Sequence, residues 1–102
     1  PHRNVGNEKA AFTLTTTELT KAFATDTAAY NKYVDKAVLL EGPITSIEGS
    51  RLLFENIICS VDSAELPKLA AMKEGQTVKV QGRLTTYNDL MEEIMLDQCV
   101  IK

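Results

Sequence analysis

The chain has 102 residues, of which 44% are hydrophobic and 25% are charged. This is the composition of one ordinary globular domain, which excludes a disordered or collagen-like chain, and no apolar run reaches the roughly 18 residues that a membrane helix needs. The formal net charge is −3, and an acidic balance disfavours a broad surface for nucleic-acid phosphates. Three Phe, three Tyr and no Trp predict a mainly aliphatic core.

The first residues are polar and show no clear periodicity. We predict a flexible lead over residues 1–13, with a short extended piece as an alternative within it. The chain begins without a Met and without the basic, apolar and small-residue order of a secretory signal. We therefore expect a processed or trimmed chain. The first residues do not indicate the native compartment.

The segment 14–35 is predicted to be a helical extension. Thr15 is a good N-cap, because its hydroxyl can accept a hydrogen bond from a free N–H of the first turn, and Glu18 completes a capping box. Apolar residues then follow at helical spacing. A polar stretch at 25–27 interrupts this stripe. The pattern therefore fits either one helix to about residue 35 or two short helices that break near Thr25.

Alternating apolar and polar residues after residue 36 predict five short strands. These lie at about 38–45, 51–56, 57–62, 78–85 and 92–101, with a short helix at 63–72. Gly42 and Gly82 interrupt two strands, as is typical where a small barrel bends. Five strands with a helix between the third and fourth is the order of an OB-fold barrel. We therefore predict an all-β fold with minor helices, a five-stranded OB-fold barrel over 37–102 within a single domain 14–102.

The chain resembles the bacterial tRNA_anti-like family of OB-fold proteins over about residues 15–102. The resembling residues are Tyr33, Lys36, Leu40–Ile47, Cys59, Lys73–Leu84 and Leu96–Ile101. Pro43 departs from the family's pattern, since proline is unusual inside the first strand. The resemblance implies an OB fold and a link to nucleic-acid-binding anticodon domains. Because many members look like envelope lipoproteins, it also implies a cell-envelope or periplasmic location.

The two cysteines, Cys59 and Cys99, are predicted on the third and fifth strands. These strands pair in an OB barrel, so the two Cα atoms are expected within the roughly 7 Å that a disulfide requires. A disulfide and a pair of buried thiols both fit this placement, and Cys59–Cys99 is a candidate disulfide. Catalytic use of either thiol is not expected, because no His or basic cluster lies near it in the sequence.

The outward face of the fourth predicted strand carries two cations and one ring, at Lys79, Arg83 and Tyr87, together with polar neighbours. OB folds usually bind ligands at the second and third strands, which adds Arg51 and Phe54. These five residues form the candidate ligand or nucleic-acid face. The alternative is an ordinary solvated surface, which is the more common state of such a charged stripe.

The sequence contains no glycine-rich phosphate loop, no metal-spaced His/Cys/Asp set and no supported Ser/His/Asp arrangement. Glu92 and Glu93 point to opposite strand faces, so we interpret them and Asp97 as a solvated strand edge. The helix face with Tyr30 and Tyr33 is interpreted as packing. We expect a non-enzymatic binding module, without cofactor or metal, for a protein or small polar ligand. The alternative is a single-stranded nucleic-acid or tRNA-type binding protein.

Overall fold

The computed structural model describes residues 8–26 and 28–102, which form one mixed sheet with short helices packed against it. The elements are β1 (Phe12–Thr15), α1 (Thr16–Thr25), α2 (Ala29–Tyr33), β2 (Ala37–Pro43), β3 (Ser46–Glu48), β4 (Arg51–Phe54), β5 (Ile57–Val61), a 3-10 turn (Ser63–Glu65), α3 (Leu66–Ala70), β6 (Thr77–Asn88) and β7 (Glu93–Ile101). The prediction of a mostly β fold with minor helices is confirmed. Of the flexible lead predicted over residues 1–13, the first seven residues lie outside the described part of the chain. Its last two residues belong to β1.

The strands follow the order β1-β2-β6-β7-β5-β4-β3 across the sheet. β1 is parallel to β2 and β5 is parallel to β7, while the other neighbours are antiparallel. The sheet has seven strands and is not closed, so the predicted five-stranded OB barrel is not confirmed. Two strands account for the difference in number: β1, which pairs with β2, and β3, which follows the end of the first predicted strand.

The division between β2 and β3 occurs at Ile44 and Thr45, directly after Pro43. Ile44 N donates to Gln76 O at 2.9 Å, whereas Thr45 N donates to Leu53 O at 2.8 Å. Consecutive residues thus bond to segments that lie towards opposite ends of the strand order. The chain therefore changes pairing partner at this point instead of continuing one straight strand.

The start of α1 follows the local sequence signals. Glu18 N donates to Thr15 Oγ1 at 3.1 Å, and Thr15 N donates to Glu18 Oε1 at 2.8 Å. This confirms the predicted capping box. Thr16 packs so closely on Gly42 of β2 that a Cβ there would collide with its side chain. Gly42 is therefore needed for the close approach of α1 to β2.

The helical segment consists of two short helices, because α1 ends at Thr25 and α2 begins at Ala29. The second of the two predicted alternatives, a break near Thr25, is therefore confirmed.

The core is mainly aliphatic, as the composition predicted. Its fully enclosed side chains include Leu19 of α1 and the sheet residues Val38, Leu40, Leu52, Ile57, Leu84, Ile94 and Leu96, all at most 1% exposed. Burial of a side chain of this size contributes about 1.5–3 kcal/mol each to folding. Ala29 and Tyr33 of α2 are also buried in this core. Both helices are therefore anchored to the sheet, and this fixes the position of the residues that they present at the surface.

The register of β7 changes between Leu96 and Cys99, where its pairing with both β5 and β6 shifts. Gln98 adopts φ 51°, and Cys99 rather than Val100 joins the core. Strict alternation along the strand would instead place Val100 on the face of Ile94 and Leu96. A β-bulge explains the difference, because one extra residue in a strand moves every later side chain to the other face.

Candidate functional site

Arg83, predicted as a ligand-binding cation, is held by two carboxylates. Its Nε donates to Asp97 Oδ1 at 3.1 Å and its Nη2 donates to Asp97 Oδ2 at 2.8 Å, while Nη1 donates to Asp35 Oδ1 at 3.2 Å. The hydrogen bond to Asp97 is the main reason that the pKa of Arg83 is raised above its ordinary value. The guanidinium is therefore a link between β6, β7 and the end of the helical segment, with its charge already balanced.

The other predicted cations are paired in strand register with acidic residues. Lys79 is paired in register with Glu41 on β2, and both line a shallow cavity with Glu18. Arg51 is exposed on β4, in register with Glu48 on β3. Alternating positive and negative side chains create no extended positive potential, which phosphate binding requires.

The two predicted rings occupy different environments. Phe54 is 1% exposed and belongs to the core, so the prediction that it faces a ligand is wrong. Tyr87 is half-buried on β6. Since β7 and β5 lie between β6 and β4 in the sheet, Arg51 and Phe54 are also separated from Lys79, Arg83 and Tyr87. The structure does not bring the five predicted residues together on one face.

Cys59 and Cys99 are buried and present as free thiols. Burial raises the pKa of the Cys99 thiol well above its ordinary value, and a hydrogen bond with the Cys59 thiol raises it further. The two sulfur groups are thus neighbours, as the expected strand pairing requires. Their oxidation to a disulfide stays a prediction.

A surface that sequence reasoning missed lies between α1, α2 and the β6–β7 hairpin. The ring of Phe23 packs against that of Tyr87 with centroids 4.8 Å apart, and against that of Tyr33 at 6.1 Å. Tyr30, which is 39% exposed, donates from its hydroxyl to Thr85 O at 3.3 Å. We call this surface the aromatic groove. Its lining residues are Thr20, Phe23, Ala24, Asp26, Tyr30, Asn56, Tyr87, Asp89 and Glu92.

The aromatic groove has two lobes that share the Phe23–Tyr87 ring pair. The smaller lobe has a volume of about 170 Å³ and carries Glu92, and the larger has about 320 Å³ and carries Asp26 and Asp89. No Lys or Arg is among the described residues that line either lobe. The groove therefore combines ring surface with negative charge.

Asn56, in the turn between β4 and β5, connects the two walls of the smaller lobe. Thr20 Oγ1 donates to Asn56 Oδ1 at 2.9 Å, and Asn56 Nδ2 donates to Glu92 O at 2.6 Å. These bonds join α1 to the turn of the β6–β7 hairpin. Hydrogen bonds between three separate segments thereby hold the groove, which does not depend on one loop.

The turn at the end of the hairpin presents apolar side chains beside the groove. Asn88 Oδ1 accepts from Leu90 N at 3.1 Å and from Met91 N at 3.2 Å, which orders the turn. Leu90 is 92% exposed and Met91 is 64% exposed, and they stand between Asp89 and Glu92. We call Leu90 and Met91 the apolar tip. Two large apolar residues in a turn, where polar ones are usual, are the sequence signal that could have revealed this surface.

Residues 8–26 and 28–102 contain neither a metal-binding cluster nor a helix that could span a membrane. In this part of the chain, no cluster of three or more His, Cys, Asp or Glu side chains is arranged to hold a metal ion. None of its helices has the length and apolar character needed to pass through a bilayer.

The fold is shared with a protein of known structure. No protein-family model and no curated protein matches the chain, so the resemblance to the tRNA_anti-like family is not confirmed. The crystal structure of a "putative nucleic acid-binding lipoprotein" from Klebsiella pneumoniae subsp. pneumoniae MGH 78578 superimposes with a TM-score of 0.67. The alignment covers 100% of this chain and 98% of that one at 17% sequence identity. Similarity at this identity establishes the common fold alone.

Proposed function

We propose that the chain is a non-enzymatic binding module that holds a protein segment or a small polar ligand in the aromatic groove. The observation that carries this proposal is the ring surface that Phe23, Tyr30 and Tyr87 present to the groove, with Tyr30 exposed and the other two half-buried. Hydrogen-bonded side chains frame this surface, and the apolar tip continues it. Ligand sites are concave, contain aromatic side chains and place a few polar groups to orient the ligand. An exposed apolar patch beside such a site is typical of an interaction surface.

We further propose that the sheet is a variant of the OB barrel in which β2 and β3 are two halves of one bent strand. The consecutive residues Ile44 and Thr45, bonded towards β6 and β4 respectively, support this interpretation. The bent strand and β4 to β7 then correspond to the five strands of the OB scheme, with β1 as an addition at one edge.

A cell-envelope location is part of the proposal. It is supported by the lipoprotein name of the structural neighbour and by the family resemblance described above. Expression of the complete natural gene, followed by fractionation and metabolic labelling with a fatty acid, tests it. Label in the membrane fraction is expected, whereas unlabelled protein in the cytosolic fraction would refute this location.

Binding of single-stranded nucleic acid is the second candidate function, because the structural neighbour carries that name. The rings of the groove are of the type on which bases stack. Two observations weigh against it: Arg83 is occupied by Asp97 and Asp35, and the groove carries carboxylates that repel phosphates. A protein or small polar ligand is therefore the better-supported partner.

The two candidates are separated by amide NMR spectra of ¹⁵N-labelled protein, titrated with a pool of random short peptides and separately with oligothymidylate. The proposal expects peptides to shift amide signals of the groove residues. The variant Tyr30→Ala should weaken that binding by about tenfold, as loss of a contact ring does at an interface. Leu66→Ala is the matched control, because Leu66 is also 39% exposed and does not line the groove.

Two results would refute the proposed function. In the first, no peptide in the pool shifts a groove amide. In the second, oligothymidylate binds with the steep salt dependence that counterion release produces, while the peptides do not bind. The second result would establish the nucleic-acid alternative instead.

A further inference from the structure

We infer that the ligand of the aromatic groove is a peptide segment with an arginine next to an apolar residue. The guanidinium occupies the larger lobe, against its rings and beside Asp89, and the apolar residue contacts the apolar tip. This inference rests on the proposed function and adds the chemistry of the partner to it.

Charge complementarity selects a cationic partner. Asp26 and Asp89 line the larger lobe, Glu92 lines the smaller one, and no described lining residue carries a positive charge. Asp26 Oδ1 accepts from Ala28 N at 2.9 Å, so its carboxylate is held in place at the end of α1. An anionic or phosphate-bearing ligand would meet repulsion in both lobes. A cationic ligand would be attracted by the carboxylates of either lobe.

The rings select a planar, weakly hydrated cation. A guanidinium stacks on an aromatic face and pairs with a carboxylate through two parallel hydrogen bonds, which a lysine ammonium cannot do. The lobe of about 320 Å³ brings Phe23, Tyr30 and Tyr87 together with both Asp side chains. An arginine side chain is therefore the group that satisfies the rings and the carboxylates at once.

The apolar tip specifies the neighbour of that arginine. Leu90 and Met91 directly follow Asp89 in the chain and are 92% and 64% exposed. A partner residue adjacent to an arginine at Asp89 lies within reach of this turn. Contact there removes apolar surface from water on both sides, and methionine adapts readily to different partners.

The test uses the whole chain and four fluorescein-labelled peptides that differ at one position. The parent probe has the sequence Gly-Leu-Arg-Leu-Gly, and the others replace the arginine by citrulline, lysine or glutamate. Citrulline keeps the planar shape and removes the charge. We expect the arginine peptide to bind most tightly in fluorescence polarisation, with at least about tenfold weaker binding for citrulline, since hydrogen bonds to charged groups are the stronger ones.

Asp89→Asn removes one charge from the larger lobe with almost no change of shape. We expect it to weaken binding of the arginine peptide several-fold and to leave the citrulline peptide unaffected. Asp62→Asn is the matched control: Asp62 is exposed, makes no side-chain capping bond and lies outside the groove. Added salt should weaken the arginine peptide and leave the citrulline peptide nearly unchanged.

The outcomes separate this inference from the proposed function. If the citrulline or glutamate peptide shifts the groove amides with the affinity of the arginine peptide or better, the inference is refuted and the groove remains a binding site. If none of the four binds while the random pool does, the inference alone is again refuted. If neither the pool nor the four peptides shift groove amides, both proposals fail.

Discussion

Arg83 and Asp97 face each other across β6 and β7 and share two hydrogen bonds, Nε–Oδ1 at 3.1 Å and Nη2–Oδ2 at 2.8 Å. Asp97 lies at the start of the bulge in β7, so the pair connects the two strands where their register changes. Arg83, which the sequence predicts as a ligand-binding cation, therefore links β6 to β7 in the structure. Because Asp97 occupies its guanidinium, Arg83 is not available to bind a phosphate on the predicted nucleic-acid face.

Arg83→Lys keeps the charge and loses the two-pronged geometry. Because Arg83 and Asp97 are partly exposed, at 30% and 38% of their side chains, we expect a loss of about 0.5–1 kcal/mol in the free energy of unfolding. Urea unfolding measures it, with Arg51→Lys, at an exposed position of β4, as the control. Equal stability of the two variants would show that the pair contributes only its charge.

Gly82→Ala should destabilise the fold through a direct collision. A Cβ at Gly82 would lie 2.5 Å from Cys99 Sγ and 3.1 Å from Asp97 O. Overpacking of this kind costs about 1–3 kcal/mol. The double variant Gly82→Ala with Cys99→Ala removes the sulfur with which the new Cβ collides. In a double-mutant cycle, we therefore expect it to be less destabilised than the sum of the two single variants. Strict additivity of the two changes would contradict the collision.

Thr15→Ala removes the side chain that caps α1. We expect a loss of about 1 kcal/mol, because the Glu18 N–H then lacks its protein acceptor. Thr17→Ala is the matched control: Thr17 is exposed within α1, where alanine is the better helix former. Thermal unfolding of both variants measures the difference. A Thr15→Ala variant as stable as Thr17→Ala would show that the capping box adds nothing to folding.

The buried Cys99 thiol predicts a decline of stability at alkaline pH. Its pKa is raised in the folded state, mainly by burial, so the protonated thiol is retained while the unfolded chain ionises. The stabilising contribution is thus complete below the ordinary thiol pKa of about 8.5 and is lost as pH rises above it, by at most about 1.4 kcal/mol per pH unit. Urea unfolding in reductant across this range should show a shallower decline for Cys99→Ala. Parallel profiles would contradict this linkage.

Cys59 and Cys99 also remain a candidate disulfide. Oxidised glutathione, as the disulfide oxidant, would accept two electrons and two protons from the thiols and be released as two reduced molecules. We expect the reaction to be slow in the folded protein, because both thiols are buried. Intact mass after incubation, with and without urea, measures the loss of two hydrogens. Rapid oxidation without urea would contradict the burial of the pair.

Local signals in the sequence were sufficient for the parts of the fold that depend on neighbouring residues. The capping box of Thr15 and Glu18 is of this kind, and the end of α1 near Thr25 was one of the two alternatives that the sequence left open. Pro67 in the first turn of α3 is another example, since its missing N–H is tolerated there. The alternation of β6 could also be predicted from the sequence. Gln81 is an exception: it lies between the outward residues Lys79 and Arg83 in this pattern, yet it is buried and donates from Nε2 to Glu8 O.

The parts that sequence reasoning missed depend on pairing between distant segments. β1 is a strand because Phe12 to Thr15 bond to β2, which no local pattern specifies. Phe54 lies inside because of its register with Ile57 across a hairpin that is covered on that face. One bulge in β7 exchanged Val100 for Cys99 in the core, since strand faces alternate with every residue.

The sequence by itself determined a mostly β domain with a capped helical segment and an aliphatic core, because these follow from periodicity and neighbouring side chains. Only the tertiary structure decided which rings and charges meet. Phe23, Tyr30 and Tyr87 form one groove because α1, α2 and β6 pack together, and Arg83 is occupied because β7 places Asp97 opposite it. The physical reason is that periodicity assigns a residue to a face of its own element, whereas the contacts of that face are set by long-range register and packing.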